Sequence, residues 1–367
     1  MRTLSCLHES TGSRKPRCGD QSLSEDEKIL EQIARAAQHC FEQHPVVILG
    51  SGASAVHNIR GMAPLAAYLL EYVVPDQGQE AEQWLLIRTA LENGDGLEEA
   101  LLKTTAPLSL VAKIVSLTWK AIATDDIALM ARAARGEEHF HLADLLRGMF
   151  RSTHHFIDIV TPNYDRVAEY AADIAGCVHA TGFVPGIIRQ REGADTVAIR
   201  RGAHPARTAR VWKVHGSLDW FARPDGTVVS LPIFETLPET FAPLIVTPGV
   251  SKFERTYDEP FRSAIQGADA ALGAATSFLC VGYGFRDRHI EPKIVERCKQ
   301  SNVPIIILAR QLTDEAKQFI AKNAGHTYLA LEKYGEGTRA FSPDYPAGIT
   351  IHRPDVWSFE SFNKMVL

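Results

Sequence analysis

A chain of 367 residues with 45% hydrophobic residues can bury a sizeable core, and its formal charge of −5 argues against a protein built mainly to coat nucleic acid. No stretch approaches the roughly 20 apolar residues that span a bilayer, and the first 20 residues carry charges and cysteines without an apolar signal core, so a cytoplasmic location is expected. Six cysteines (Cys6, Cys18, Cys40, Cys177, Cys280, Cys298) are scattered without a C-x-x-C pair, which writes neither a zinc ribbon nor a disulfide framework.

Residues 1–22 lack periodicity and are expected to form a loose tail. From Ser22 to His44 a helix is predicted: Ser24 is placed to cap it, Glu27 follows three residues on, and Ile29, Ile33 and Ala37 recur at helical spacing. Val46–Leu49 is a short apolar run closed by Gly50. Similar runs recur at Phe156–Val160, Cys177–Ala180, Val211–Val214, Leu244–Thr247, Phe278–Gly282 and Pro304–Ala309. Near-continuous apolar strands are what a parallel sheet covered on both faces requires, so the expected fold class is α/β, Rossmann-like and doubly wound. Between them, residues 66–150 read as helices (Ala81–Asn93, Leu108–Ala121, Asp126–Arg135) and predict an inserted helical subdomain able to close over a cleft. The Rossmann-like domain is then 23–65 with 151–330, and 331–367 is a C-terminal extension. In 186–210, Arg189, Arg191, Arg200, Arg201, Arg207 and Arg210 face only Glu192 and Asp195. Two readings stay open: a solvated basic loop or hairpin, or a docking surface for nucleic acid or an acidic partner.

Four strand exits carry polar chemistry. Val46–Leu49 runs into Gly50-Ser51-Gly52-Ala53-Ser54, where glycines would let the backbone approach a pyrophosphate and a helix start would favour its charge. The third glycine of the dehydrogenase fingerprint is missing, and small residues after a strand also serve packing. Met62–Leu65 is expected as a loop over the ligand. Thr161-Pro-Asn-Tyr-Asp165 presents Asn163 and Asp165 beyond a strand's carboxyl end, where open sheets bind ligands, although the same residues suit a turn capping the helix Arg166–Ala175. His215 leaves Val211–Val214 and can act as a general base, with Gly216 after it permitting close approach by a ligand. Gly282 and Gly284 follow Phe278–Val281, and Asp287 either caps the next helix or fixes that loop.

In this order the motifs resemble the sirtuin family, whose hallmarks are a Gly-Ala-Gly-Ala-Ser loop, a Thr-Gln-Asn-Ile-Asp turn and a His-Gly pair. They stand here as Gly50–Ser54, Thr161–Asp165 and His215-Gly216. The resemblance implies that the Gly50 loop, with Gly282, Gly284 and Asp287, binds NAD. It also implies that Asn163 contacts the nicotinamide ribose or orders a water, that Asp165 contacts the carboxamide, and that His215 takes a ribose hydroxyl proton or orients the nucleophile. Pro162 replaces the family's glutamine, the four zinc-binding cysteines of protein-deacylating members are missing, and Gly282-Tyr-Gly-Phe-Arg-Asp287 looks like the pattern of bacterial sirtuin-like NAD-consuming proteins.

Those departures imply a metal-independent NAD hydrolase, with NAD as substrate, that depletes NAD in bacterial defence against phage. The same branch implies a homo-oligomer and a HerA-type ATPase or short Argonaute-like partner, with nucleic acid involved only indirectly. The alternatives are an NAD-dependent protein deacylase within enzymology, a non-catalytic NAD or ADP-ribose binding subunit from another class, and, third, a dehydrogenase.

Overall fold

In the computed structural model, residues 24–191, 199–232, 234–237, 240–246 and 258–367 are described. The expected tail at 1–22, the middle of the basic stretch at 192–198, and Thr247 lie outside them. Twelve helices are described: α1 (Glu25–Glu42), α2 (Ser51–Ala55), α3 (Met62–Tyr72), α4 (Gln79–Glu92), α5 (Leu97–Leu102), α6 (Leu108–Ala134), α7 (His141–Met149), α8 (Val167–Ala175), α9 (Phe261–Ala274), α10 (Glu291–Ser301), α11 (Asp314–Lys322) and α12 (Phe359–Val366). The described strands are β1 (Val46–Leu49), β2 (Phe156–Thr161), β3 (Val178–Ala180), β4 (Arg189–Gln190), β5 (Arg200–Arg201), β6 (His204–Pro205), β7 (Thr208–Lys213), β8 (Gly216–Ala222), β9 (Val228–Ser230), β10 (Ala242–Ile245), β11 (Phe278–Val281), β12 (Ile305–Ala309), β13 (Tyr328–Tyr334), β14 (Gly337–Ser342) and β15 (Tyr345–Ile351).

The fold is α/β around a nine-stranded sheet of order β15-β14-β13-β12-β11-β1-β2-β7-β3. Every neighbouring pair from β3 to β13 is parallel, and β14 and β15 close one edge as antiparallel hairpins. Because side chains alternate along a strand, the apolar runs supply both faces. Val46, Ile48, Phe278, Cys280, Ile305 and Ile307 pack with α9, α10 and α11. Val47, Leu49, Leu279, Val281, Ile306 and Leu308 pack on the other side with α1, the helices between β1 and β2, and α12. Each buried Val, Leu or Ile contributes about 1.5–3 kcal/mol, so both faces must be covered for the strands to hold.

Helix α1 starts as its sequence prescribes. Glu27 donates its N–H to Ser24 Oγ (3.3 Å), and Ser24 donates its own N–H to Glu27 Oε2 (2.8 Å), closing a capping box. Residues 66–150 are helical throughout their regular structure. The two helices expected at Leu108–Ala121 and Asp126–Arg135 are one 27-residue helix, α6. Nothing in Ile122–Asp125 breaks a helix: Thr124 Oγ1 turns back to Lys120 O at 2.8 Å, and buried Asp126 is held by Arg166.

Two strand readings need correction. The run Leu244–Thr247 does not enter the main sheet; β10 pairs antiparallel with β8 in a four-stranded sheet of order β10-β8-β9-β4, because β8 follows His215 directly and turns the chain away. β13, β14 and β15 have no counterpart in the sequence reading. Half of the basic stretch is internal. Arg189 donates to Asp219 Oδ2 at 2.7 Å, Arg191 lies over the Phe183 and Trp220 rings (5.1 and 5.7 Å), and Arg210 grips both oxygens of Asp158. Neither a solvated loop nor a docking face describes these three, whose alkyl stems and charges are spent inside the protein; only Arg200, Arg201 and Arg207 are exposed. Among the described residues no helix is long and apolar enough to cross a membrane.

Candidate active site

The chain moves outward from β1 in both directions, to β2, β7 and β3 on one side and to β11, β12 and β13 on the other. Such a reversal leaves a crevice at the carboxyl ends of the central strands. A cleft of about 1050 Å³ lies there, and α3, α5 and α6 supply its opposite wall through Met62, Leu65, Leu97 and Ile122. Met62–Leu65 is not a loop but the first turn of α3, which tolerates Pro64 because the first N–H groups of a helix have no internal partner.

The two glycine loops meet on the cleft floor. Gly50 donates to Val281 O (3.0 Å) and Gly52 to Gly282 O (3.1 Å). A Cβ on Gly50 would lie 2.2 Å from Gly282 O, and one on Gly282, whose φ is +60°, would lie 2.4 Å from Ala53 N. These glycines are therefore demanded by contact of one loop with the other, a role the sequence reading offered only as the bland alternative. Within Gly50–Ser54 only Ser51 and Gly52 line the cleft, while Ala53 and Ser54 are buried behind them. Gly284 lines it too.

The end of β2 is tied to this floor by a short relay. Thr161 Oγ1 donates to Leu49 O (2.8 Å) and accepts from Asn163 N (3.0 Å). Asn163 Nδ2 donates to Gly50 O (2.9 Å) and to Ser54 Oγ (3.0 Å), so both amide hydrogens are used and Oδ1 is the atom left for a ligand. Asp165 lines the cleft but is 6% exposed; its Oδ1 accepts from Val167 N (3.1 Å), a side-chain turn that satisfies the first N–H of α8, whose N-cap is Arg166. Burial pushes the Asp165 carboxyl up, opposed chiefly by the Lys213 ammonium and by a hydrogen bond with Ser54. Lys213, fully buried, donates to the Asp165 carbonyl and lies 3.2 Å from Glu169 Oε1.

His215 leaves β7 into the same cleft, 7% exposed. Its Nε2 lies 2.9 Å from Asp287 Oδ2, off-line for a hydrogen bond, which makes this a charge contact when the imidazole is protonated. Of the two readings offered for it, Asp287 fixes the loop: Oδ1 accepts from His289 N and Ile290 N ahead of α10, whose N-cap is Ile290 without a side-chain cap, and Oδ2 faces the histidine. The space beside Gly216, at φ +87°, is not for a ligand; a Cβ there would lie 2.0 Å from Leu244 O of β10. That correction follows from the second sheet, which the sequence reading did not contain.

A family model described as SIR2-like domain matches residues 158–329, a span that holds Asn163, Asp165, His215 and Asp287 but neither the Gly50 loop nor β14 and β15. Among solved structures, one from work on the mechanism and regulation of Sir2 enzymes is 16% identical (TM-score 0.39), over 81% of this chain and 91% of that one. A Sir2 homologue in complex with NAD is 14% identical (TM-score 0.40), over 81% and 87%. A mutant Sir2 homologue with 2′-O-acetyl-ADP-ribose is 15% identical (TM-score 0.42), over 78% and 87%. No curated protein matches the chain.

The cleft also gathers residues that sequence reading missed. Arg60 is held by both oxygens of Asp125 (2.7 and 2.8 Å) and lies over the Tyr68 ring, which pins the segment after α2 to α6. Arg286, Arg310, Lys317, Lys333 and Arg339 line the end beneath β12 and β13. They escaped because each stands alone in sequence; only the order of the sheet, with its antiparallel β14, brings them together. The one group of described residues able to hold a metal ion, His139, His141 and Asp144, lies at the start of α7 and not in the cleft. Cys40, Cys177, Cys280 and Cys298 are buried thiols; burial pushes Cys40 and Cys298 up to about 12, far from the thiolate a metal needs.

Proposed function

We propose that this cleft binds NAD and that the chain hydrolyses its nicotinamide–ribose bond, releasing nicotinamide, ADP-ribose and a proton. The observation that carries the reading is convergence: the Asn163–Asp165 turn, the His215–Asp287 pair and the edge of a glycine floor open into one cleft at the strand reversal. The SIR2-like match, whose span holds the Asn163–Asp165 turn and the His215–Asp287 pair, supports it.

The residues divide the work by chemistry. Ser51 and Gly52 form a surface without bulk at the middle of the cleft, suited to a pyrophosphate. Asp165 is fixed against the carboxamide end, and Asn163 Oδ1 is set to accept from a ribose hydroxyl or a water, since its amide nitrogen is already committed. His215 turns Nε2 toward Asp287, leaving Nδ1 to take the proton that water loses as it adds to the ribose carbon. The Asp287 carboxylate faces the other ring nitrogen. Most of the rate gain comes from holding ribose and water in line within a walled site. No step calls on a metal. An NAD-depleting effector of bacterial anti-phage defence, oligomeric and switched by a HerA-type ATPase or a short Argonaute-like partner, is the setting we propose for it.

The test is separation of nicotinamide and ADP-ribose after incubating NAD with the wild type, His215→Ala and Asn163→Ala. Loss of about 10²–10⁴-fold in either variant, with unchanged circular dichroism, is expected. A wild type that binds NAD but releases no nicotinamide, alone or with a candidate ATPase, overturns hydrolysis in favour of a binding subunit.

A further inference from the structure

We propose that the end of the cleft beneath β12 and β13 is a phosphate subsite, and that the preferred ligand is a dinucleotide carrying an additional phosphate on its adenosine ribose, as NADP does. This rests on the dinucleotide reading above and names the substrate class for the same site.

Sheet order fixes which part of the ligand reaches that end. Asn163, Asp165 and His215 stand at the exits of β2 and β7, and the glycine floor stands at β1 and β11. A dinucleotide with nicotinamide at the first and pyrophosphate at the second must extend its adenosine toward β12 and β13. At about 4.8 Å per strand, β13 lies roughly 14 Å from β1.

The side chains waiting there are cationic. Arg310 follows β12 directly, Lys333 lies in β13 and Lys317 in α11, all exposed and all lining the cleft. No carboxylate among the described residues lies within ion-pair distance of any of the three. Glu332, the carboxylate that lines this end, is buried with Oε2 accepting from Leu312 N at 2.9 Å, and Glu315 faces Arg286 at 3.0 Å. In sites that read NAD, an acidic residue at such a strand end bonds the ribose 2′-hydroxyl, whereas arginine accommodates a 2′-phosphate. Here the residue at the strand end is Arg310, with two lysines beside it. Three unpaired cations answer a dianionic phosphate better than a hydroxyl, and arginine adds a planar fork matched to phosphate oxygens.

The test avoids turnover by using the adenosine half alone. Titration calorimetry on the full chain compares adenosine 2′,5′-bisphosphate with 5′-AMP, and NAD is titrated in parallel into His215→Ala. The bisphosphate is expected to bind at least about tenfold tighter than AMP, as one charge-assisted contact gives. The double variant Arg310→Ala with Lys333→Ala, at exposed positions, is expected to lose that preference while keeping AMP affinity within about twofold. The preference should also shrink at high salt. Equal affinity for the two nucleotides while NAD still binds overturns the phosphate subsite alone, as does a preference surviving in the double variant. Failure of NAD and both nucleotides to bind overturns the dinucleotide reading along with it.

Discussion

Replacing Lys213 by methionine tests whether the charges beneath the cleft are held as the structure shows. The Lys213 ammonium is fully buried, 3.2 Å from Glu169 Oε1, and also donates to the Asp165 carbonyl; Glu169 Oε2 has no partner. At an effective dielectric of about 20, a 3.2 Å ion pair is worth about 5 kcal/mol before desolvation, and removing one partner of a buried pair leaves the other uncompensated. Lys213→Met is therefore expected to cost about 3–5 kcal/mol. With an unfolding entropy of about 2.1 cal/mol/K per residue, that lowers Tm by about 4–6 °C. Adding Glu169→Met removes the stranded carboxylate, so the double variant should regain part of the loss. It stays below wild type because the Asp165 carbonyl still lacks its donor, a deficit of about 1–3 kcal/mol. Urea unfolding of the four proteins closes the cycle. A single-variant loss under about 1 kcal/mol, or a double variant no more stable than Lys213→Met, would refute the buried pair.

The other expectations are narrower. Gly50→Ala forces a Cβ to 2.2 Å from the Gly282 carbonyl, where backbone cannot give way cheaply, and should cost about 1–3 kcal/mol or more; Gly273→Ala, in helix α9 with open space around it, should instead stabilise by up to about 1 kcal/mol, and thermal denaturation of the pair checks both. Burial raises the Asp165 carboxyl above its ordinary value of about 3.9, so the folded chain binds the proton more tightly than the unfolded one and loses stability as pH rises through that window. Asp165→Asn removes this slope. It should match wild-type stability near pH 3.5 and gain on it toward neutral pH, and a variant that loses ground as pH rises would contradict the assignment. EDTA should leave nicotinamide release unchanged, since the His139–His141–Asp144 group stands apart from the cleft; a chelator-sensitive rate would overturn the assignment of chemistry to side chains alone.

The strands of the parallel sheet were legible because burial on both faces leaves an unbroken apolar run, and Val46–Leu49 and Phe278–Val281 admit little else. β14 and β15 were not, since glycine, polar and charged residues (Gly337, Thr338, Arg339, Ser342) interrupt the apolar run of β14 although it is mostly buried, and the edge strand β15 is largely half-buried or exposed. Asn163, Asp165, His215 and Asp287 could each be singled out because a polar residue right after a buried run has few places to point except past the strand's end. Partnership was the part that local sequence withholds. Nothing in the spacing of Arg189, Arg191 and Arg210 says that Asp219, the Trp220 ring and Asp158 await them.

The same limit explains the two kinds of charge around the cleft. Beneath it, every cation has a carboxylate or carbonyl: Lys213 has Glu169 and the Asp165 carbonyl, Arg166 has Asp126, and Arg189 has Asp219, which this pairing and Arg166 hold below its usual value despite burial. A buried charge without a partner costs several kcal/mol, so those pairs are conditions of folding. At the open end under β12 and β13, Arg310, Lys317 and Lys333 stand in water, where an unpaired cation costs the fold almost nothing. Folding alone gives no reason for three such cations to collect on one wall of one cleft. A ligand that brings its own negative charge does, which is why the adenosine end, rather than the buried network, is where binding selectivity should be sought.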